Sequence, residues 1–196
     1  MSETDRLTWD SATAHYRDRQ RDSILVAALH LLAGQGSGGM SMSSLASAAG
    51  ISRATLYRYF SDLDSVLVGI AEMLAAHDDD LATAVESESG ARQQLRYLVG
   101  VLVQAHAGHD LSTEAIAGAL PPAARGLLDE HERRTHRLVQ DILEQGRQSG
   151  ELRDDIDPEV DALLVIGMAK SVSIDQLDRI LRVIDTSFSS DTNHQE

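Results

Sequence analysis

The chain has 196 residues, no cysteine, and 17 Lys+Arg against 31 Asp+Glu, for a formal net charge of −14. Without cysteine there are no disulfides and no thiolate metal sites. No apolar run approaches the roughly 20 residues of a membrane span and the acidic start Met1-Ser2-Glu3-Thr4-Asp5 is unlike a signal peptide, so the expectation is a soluble, cytoplasmic chain long enough to bury a core.

Strand signals are absent, and apolar residues recur at helical spacing, so the predicted fold is all-α with about nine helices. The first helix is expected over about 17–33, with Ile24, Ala28, Leu31 and Leu32 on one face and residues 1–10 loose. Gly34-Gln35-Gly36-Ser37-Gly38-Gly39 breaks the chain. Two short helices follow, over about 43–49 and 53–59, hinged at Gly50, whose missing side chain suits a tight turn. Ser52 can cap the second of them. Leu56 and Phe60, four apart, face inward, which leaves Arg53, Ala54, Thr55, Tyr57, Arg58 and Tyr59 outward.

The next helix starts after Ser61 or Asp62 and carries Leu63, Val66, Leu67, Ile70, Leu74 and Leu81. Helices are then expected over about 90–107, 111–119 and, after Pro121-Pro122, 122–148, closing at Gly150. Asp157-Pro158 restarts the chain as a cap followed by proline. The helix it opens has Val160, Leu163, Leu164, Gly167, Met168 and Ser171 at helical spacing, and the last helix has Leu177, Ile180, Leu181, Ile184 and Phe188. Residues 189–196 are polar and expected to fray. The division suggested is residues 1–62, an N-terminal three-helix domain, and residues 63–196, a larger helical domain. Charge follows that division: residues 1–60 hold six Arg against five acids, while residues 61–196 hold 11 Lys+Arg against 26 Asp+Glu.

A helix with Arg, Thr and Tyr outward has the chemistry for DNA: Arg reads guanine, small residues meet a thymine methyl, and hydroxyls hold phosphate. The plainer reading is a helical hairpin with a solvated face. Three histidines fall on apolar stripes: His77 with Ile70, Leu74 and Leu81; His106 with Leu95, Leu98 and Leu102; His131 with Leu128, Thr135, Leu138 and Ile142. They are candidates to line a small-molecule pocket with Met73, Tyr97 and Thr135 nearby. They also fit satisfied core residues, or a metal site, although no i, i+4 histidine pair occurs. His106-x-x-His109 spans an expected helix end, and His77-Asp78-Asp79-Asp80 reads as a solvated acidic face. Neither a Gly-x-Ser-x-Gly string nor a phosphate loop occurs, so neither an enzyme nor a cofactor is expected.

Residues 17–67 resemble the DNA-binding domain of the TetR family of transcriptional regulators. The resemblance rests on Ile24-Leu25-x-x-Ala28, on Ser41-x-x-x-Leu45-Ala46-x-x-Ala49-Gly50-Ile51-Ser52, on Thr55-Leu56-Tyr57-x-Tyr59-Phe60 and on Leu67. It continues more weakly through Gln145-Gly146-x-x-x-Gly150-Glu151-Leu152-Arg153 and Asp157-Pro158. It implies that Ser41, Ser43 and Ser44 meet the groove edge, that Arg53, Ala54, Tyr57 and Tyr59 face bases or adjacent phosphates, and that Thr55 and Arg58 hold the backbone. It implies a homodimer through the last two helices, with Leu163, Leu164, Gly167, Met168, Leu177, Ile180, Leu181 and Ile184 at the interface, although both stripes could instead face their own core. It further implies a repressor that binds double-stranded DNA at a palindromic operator and is released by a small-molecule effector bound among the histidine-bearing helices. One departure stands out. Where the family usually has a phosphate-gripping Lys three residues after the Phe, this chain has Leu63, which shifts the expected grip to Arg58 and the Arg17, Arg19 and Arg21 group. That departure and the charge of −14 motivate the alternative, a helical small-molecule or metal sensor without sequence-specific DNA binding.

Overall fold

Side-chain caps set where several of these helices begin. In the computed structural model, which describes the backbone of residues 3–35, 40–106 and 120–190 and the side chains of residues 15–32, 40–105 and 120–190, the elements are helical throughout. They are α1 (Glu3–Gln35), α2 (Met42–Ala48), α3 (Arg53–Tyr57), α4 (Leu63–Ala76), α5 (Asp78–Glu86), α6 (Ala91–His106), α7 (Pro122–Ser149), α8 (Pro158–Ser171), a 3-10 turn (Ile174–Gln176) and α9 (Leu177–Phe188). The all-α expectation holds. The helix expected over 111–119, the glycines at 36, 38 and 39, and His109 lie outside the described residues, as does the side chain of His106.

Two boundaries differ most from those the spacing predicts. α1 begins at Glu3 rather than near residue 17, because no Gly or Pro interrupts residues 3–33. The helix expected to run through Leu81 breaks at His77, which takes φ −89° and ψ −6° before α5 opens. Asp78, Asp79 and Asp80 occupy the first turn of α5, where carboxylates offset the positive end of the helix dipole and favour a fresh start.

The described residues form two compact units, one within residues 3–74 and 120–127 and the other within residues 75–106 and 128–190. In the first, Ile24, Leu25 and Ala28 of α1, Leu45 of α2, Leu56 of α3, and Val66 and Ala71 of α4 are fully buried. Asp62 starts α4: its Oδ1 accepts from Ser65 N at 2.8 Å, while Ser65 Oγ accepts from Asp62 N at 3.3 Å.

The second unit's core draws Val85 from α5, Leu95, Leu98 and Val99 from α6, Val139 and Leu143 from α7, Val165 from α8 and Ile184 from α9. The segment after α7 shows why its residues are what they are. A Cβ on Gly146 would lie 2.4 Å from Leu152 Cδ1 and 2.8 Å from Ala91 Cβ, so only glycine lets Leu152 seat itself in the core. Leu152 N then donates to Gly146 O at 3.0 Å. Glu151 reaches the start of α6, accepting from Arg92 N at 3.4 Å. Asp157 caps α8, its Oδ1 accepting from Glu159 N and Val160 N at 3.1 and 3.2 Å.

Candidate functional site

The hairpin of α2 and α3 is held by its own backbone and hydroxyls. Ser41 N donates to Ser44 Oγ at 2.9 Å and Ser44 N donates to Ser41 Oγ at 3.1 Å, a reciprocal cap that occupies both side chains. At the other end of α2, Gly50 N donates to Ser47 O and Ile51 N to Ala46 O at 3.2 and 3.0 Å, with Gly50 at φ 66°. This is a Schellman ending, in which glycine supplies the left-handed residue. Ser52 restarts the chain: its Oγ accepts from Thr55 N at 3.0 Å and lies 2.8 Å from Thr55 Oγ1.

Burial then sorts the faces of α3. Leu56 and Phe60 are buried. Arg53, Ala54, Tyr57 and Arg58 are exposed, as is Ser43 on α2, while Ser44, Thr55 and Tyr59 are half-buried. α3 is shorter than the spacing predicts, ending at Tyr57 with Arg58 as its C-cap, so Tyr59 leaves the helix and its N–H donates to Leu56 O at 2.9 Å.

Of the cations expected to replace the missing lysine, Arg21 has other work. Its guanidinium donates to Glu72 Oε2 at 2.7 Å and lies 5.5 Å over the Phe60 ring. Arg17, Arg19 and Arg58 are exposed. Leu63 is half-buried at the first turn of α4.

The residues expected to line a pocket differ in exposure. Tyr97 is exposed on α6, off the stripe that holds Leu95, Leu98 and Leu102, and His77 is exposed at the head of α5. Met73 is half-buried on α4. Thr135 is buried, one turn from His131 on α7. His131 does have a partner, one that spacing missed: its Nδ1 donates to Asp78 Oδ1 at 2.6 Å. Asp78 is buried while Asp79 and Asp80 are exposed, so residues 77–80 are not uniformly a solvated acidic face. The signal was available, because Asp78 stands three and seven residues before Leu81 and Val85, on the apolar side of α5. Among the described residues no group of three or more His, Cys, Asp or Glu is arranged to hold a metal ion.

The expected dimer residues also divide. Leu163, Leu164 and Gly167 are exposed and Met168 is half-buried on α8, where Val160 is exposed as well. On α9, Ile180 and Ile184 are buried in their own unit's core, with Leu177 and Leu181 packed against it. Leu177 and Leu181 remain half-buried, and α9 lies against α6 and α8. α8 is apolar on two sides: Ala162, Val165 and Ala169 face the core while Val160, Leu163 and Leu164 face out.

Residues 24–68, which contain the whole hairpin, match the pattern of bacterial regulatory proteins of the tetR family, and residues 88–174 match the tetracyclin repressor-like C-terminal domain. The chain belongs to the TetR family. Its TetR fold is shared with solved structures. One is the reduced form of E. coli NemR, with a TM-score of 0.68 and 20% identity, covering 88% of this chain and 99% of that one. Another is the ketosteroid regulator KstR2 of Mycobacterium tuberculosis, with a TM-score of 0.70 and 15% identity, covering 86% and 94%. A third is AibR in complex with isovaleryl coenzyme A and operator DNA, with a TM-score of 0.66 and 20% identity, covering 86% and 98%. A search of curated proteins gives no significant match. Asp78 lies between the two stretches that match TetR patterns, and His131 lies within the second. Among the described residues no helix is long and apolar enough to cross a membrane.

Proposed function

We propose that this TetR-family chain is a one-component transcriptional regulator. It acts as a repressor that binds a palindromic operator as a homodimer and leaves it when a small molecule binds the acidic second unit. The observation that carries this reading is the sorting of α3: Leu56 and Phe60 anchor it, and Arg53, Ala54, Tyr57 and Arg58 stand free on its outer side. Arg53 and Tyr57 read base edges, Ala54 fits against a thymine methyl, and Arg58 holds phosphate beside them. Ser43 adds a hydroxyl from α2. Ser41, Ser44 and Thr55 contribute mainly by fixing the hairpin, because their side chains cap it.

The outer stripe of α8, Val160, Leu163, Leu164 and Gly167, supports pairing with a second copy, since a helix with two apolar sides calls for cover on both. Pairing would set two copies of α3 one DNA turn apart, about 34 Å. A ligand can then release the operator only by binding the non-operator arrangement better than the other. AibR, of the same fold, is known with an acyl coenzyme A and with operator DNA, which supports a ligand-responsive reading here.

The test is fluorescence anisotropy of the full-length chain on duplexes tiled across the DNA flanking its own gene. Binding should tighten steeply as salt is lowered from 200 to 50 mM, with a log–log slope of about −0.9 per phosphate contact. Undetectable binding at low salt to every duplex overturns the reading.

A further inference from the structure

Asp78 is a buried polar group that the regulatory reading does not use. Its side chain is 7% exposed. One oxygen, Oδ1, takes the hydrogen bond from His131 Nδ1 at 2.6 Å. The other, Oδ2, is buried with no hydrogen-bond partner among the described residues. Arg134, three residues beyond His131, does not serve it: its guanidinium goes to Asp79 Oδ1 and Glu130 Oε1, each at 3.4 Å. A carboxylate oxygen closed off from water and given no donor is costly to keep.

The surroundings give the shape of what would satisfy it. Along α5, Asp78 shares a face with Leu81 and Val85, and along α7, His131 shares one with Thr135 and Val139. Leu81, Val85 and Val139 belong to one apolar layer. The unmet acceptor therefore stands at the polar end of that layer. A neutral hydroxyl would supply one donor, but an ammonium supplies charge and donors together, and charge-assisted hydrogen bonds are about twice as strong as neutral ones.

We propose that Asp78 Oδ2 is the anchor for the ammonium group of an amphipathic amine, with His131 as the positioning residue that holds the carboxylate. This names the effector class and rests on the regulatory reading above. Because Oδ2 is closed to solvent, the amine reaches it only when the cover over it opens. Binding thus draws the population toward that open state, which is how a ligand biases a conformational equilibrium.

The test uses the full-length protein and three probes with the same chain and different heads: octylamine, 1-octanol and octanoate. Calorimetric titration and thermal shift at neutral pH should show saturable binding and a raised Tm with octylamine alone. Asp78→Asn should weaken octylamine by at least about thirtyfold, with Asp79→Asn unchanged. His131→Asn, whose amide can donate from near the Nδ1 position, should keep most of the affinity. Should Asp78→Asn fail to fold by circular dichroism, the head-group comparison on the wild-type protein still decides. Octanol or octanoate binding as well as octylamine overturns the proposal, as does absent octylamine binding or an undiminished folded Asp78→Asn. Operator binding measured on the same samples keeps the two readings apart: amine selectivity can fail while DNA binding stands, and the reverse.

Discussion

Arg21 donates to the Glu72 carboxylate at 2.7 Å, tying α1 to α4. The same guanidinium covers the Phe60 ring, which closes the C-terminal side of the α3 turn. Arg21 is therefore a brace for the hairpin and not one of its free cations. Both side chains of the pair keep some solvent exposure, so the ion pair adds up to about 1 kcal/mol and the ring contact about 0.5–1 kcal/mol. Arg21→Ala should lower Tm by a few degrees. The salt slope of DNA binding, measured on the folded variant, should stay where it was. A slope flattened by about one phosphate contact would return Arg21 to the DNA face.

Position 63 offers a way to strengthen the hold on phosphate. Leu63 is half-buried in the first turn of α4, and a lysine there could keep its stem along the protein while its amine reaches outward. Leu63→Lys should tighten operator binding and steepen the salt slope by about 0.9. Arg58→Ala should flatten the slope by the same amount and weaken all sequences alike. Arg53→Ala should instead cost about tenfold to a hundredfold on the operator and little on unrelated DNA.

The two faces of α8 make opposite predictions. Leu163 and Leu164 are 61% and 55% exposed. Leu163→Glu or Leu164→Glu should leave the helical circular dichroism and the chain's own core intact while reducing the particle mass in light scattering to that of a monomer. Ile184→Glu, at a fully buried core position, should lose the fold itself, since an unpaired buried charge is among the costliest substitutions. A Leu163→Glu protein still dimeric at micromolar concentration would show that this stripe is not the interface.

Gly146 tests the turn between α7 and α8. Alanine there gains about 1 kcal/mol of helix propensity, but its Cβ would meet Leu152 at 2.4 Å. Overpacking of that kind costs about 1–3 kcal/mol, so Gly146→Ala should be destabilised in urea melts. The variant should also couple to its neighbour: Leu152→Ala should cost less in the Gly146→Ala background than in the wild type.

Asp62 gives a pH dependence with a defined sign. The Ser65 backbone N–H, then the Ser61 hydroxyl, hold its carboxyl below the usual aspartate value. A group with a lowered folded pKa stabilises fully above its unfolded value and loses that contribution as pH falls through the folded one. Wild type should therefore exceed Asp62→Asn in Tm by more at pH 6 than in the acid range below the ordinary aspartate pKa, where the two should converge. A gap that widens on acidification would contradict the cap.

Caps and turns were the most legible part of the sequence. Ser52, Gly50, Asp157-Pro158 and one of the pair Ser61/Asp62 announce their helix ends because each acts on backbone within three residues. Long-range cover was not legible. The stripe of Leu177, Ile180, Leu181 and Ile184 shows that α9 has an apolar face, but periodicity cannot say which of these residues the chain's own core covers: the structure buries Ile180 and Ile184 and leaves Leu177 and Leu181 half-buried. The same blindness hid Asp78: a run of acids beside His77 looks solvated until the partner on α7, more than fifty residues away, is in place. The start of α1 was not legible either, although no Gly or Pro interrupts residues 3–33.

The hairpin of α2 and α3 also divides its labour among residues. Those that fix its geometry, Ser41, Ser44, Gly50, Ser52, Leu56 and Phe60, are tied up in caps, a turn or the core. The side chains that face outward, on Ser43, Arg53, Ala54, Tyr57 and Arg58, take no part in those caps or in the core. On the proposed function, drift at the outward set would rewrite the DNA sequence preferred at little expense in stability. Such a reading head is retargetable: an engineer could exchange four or five side chains and leave the frame that holds them untouched.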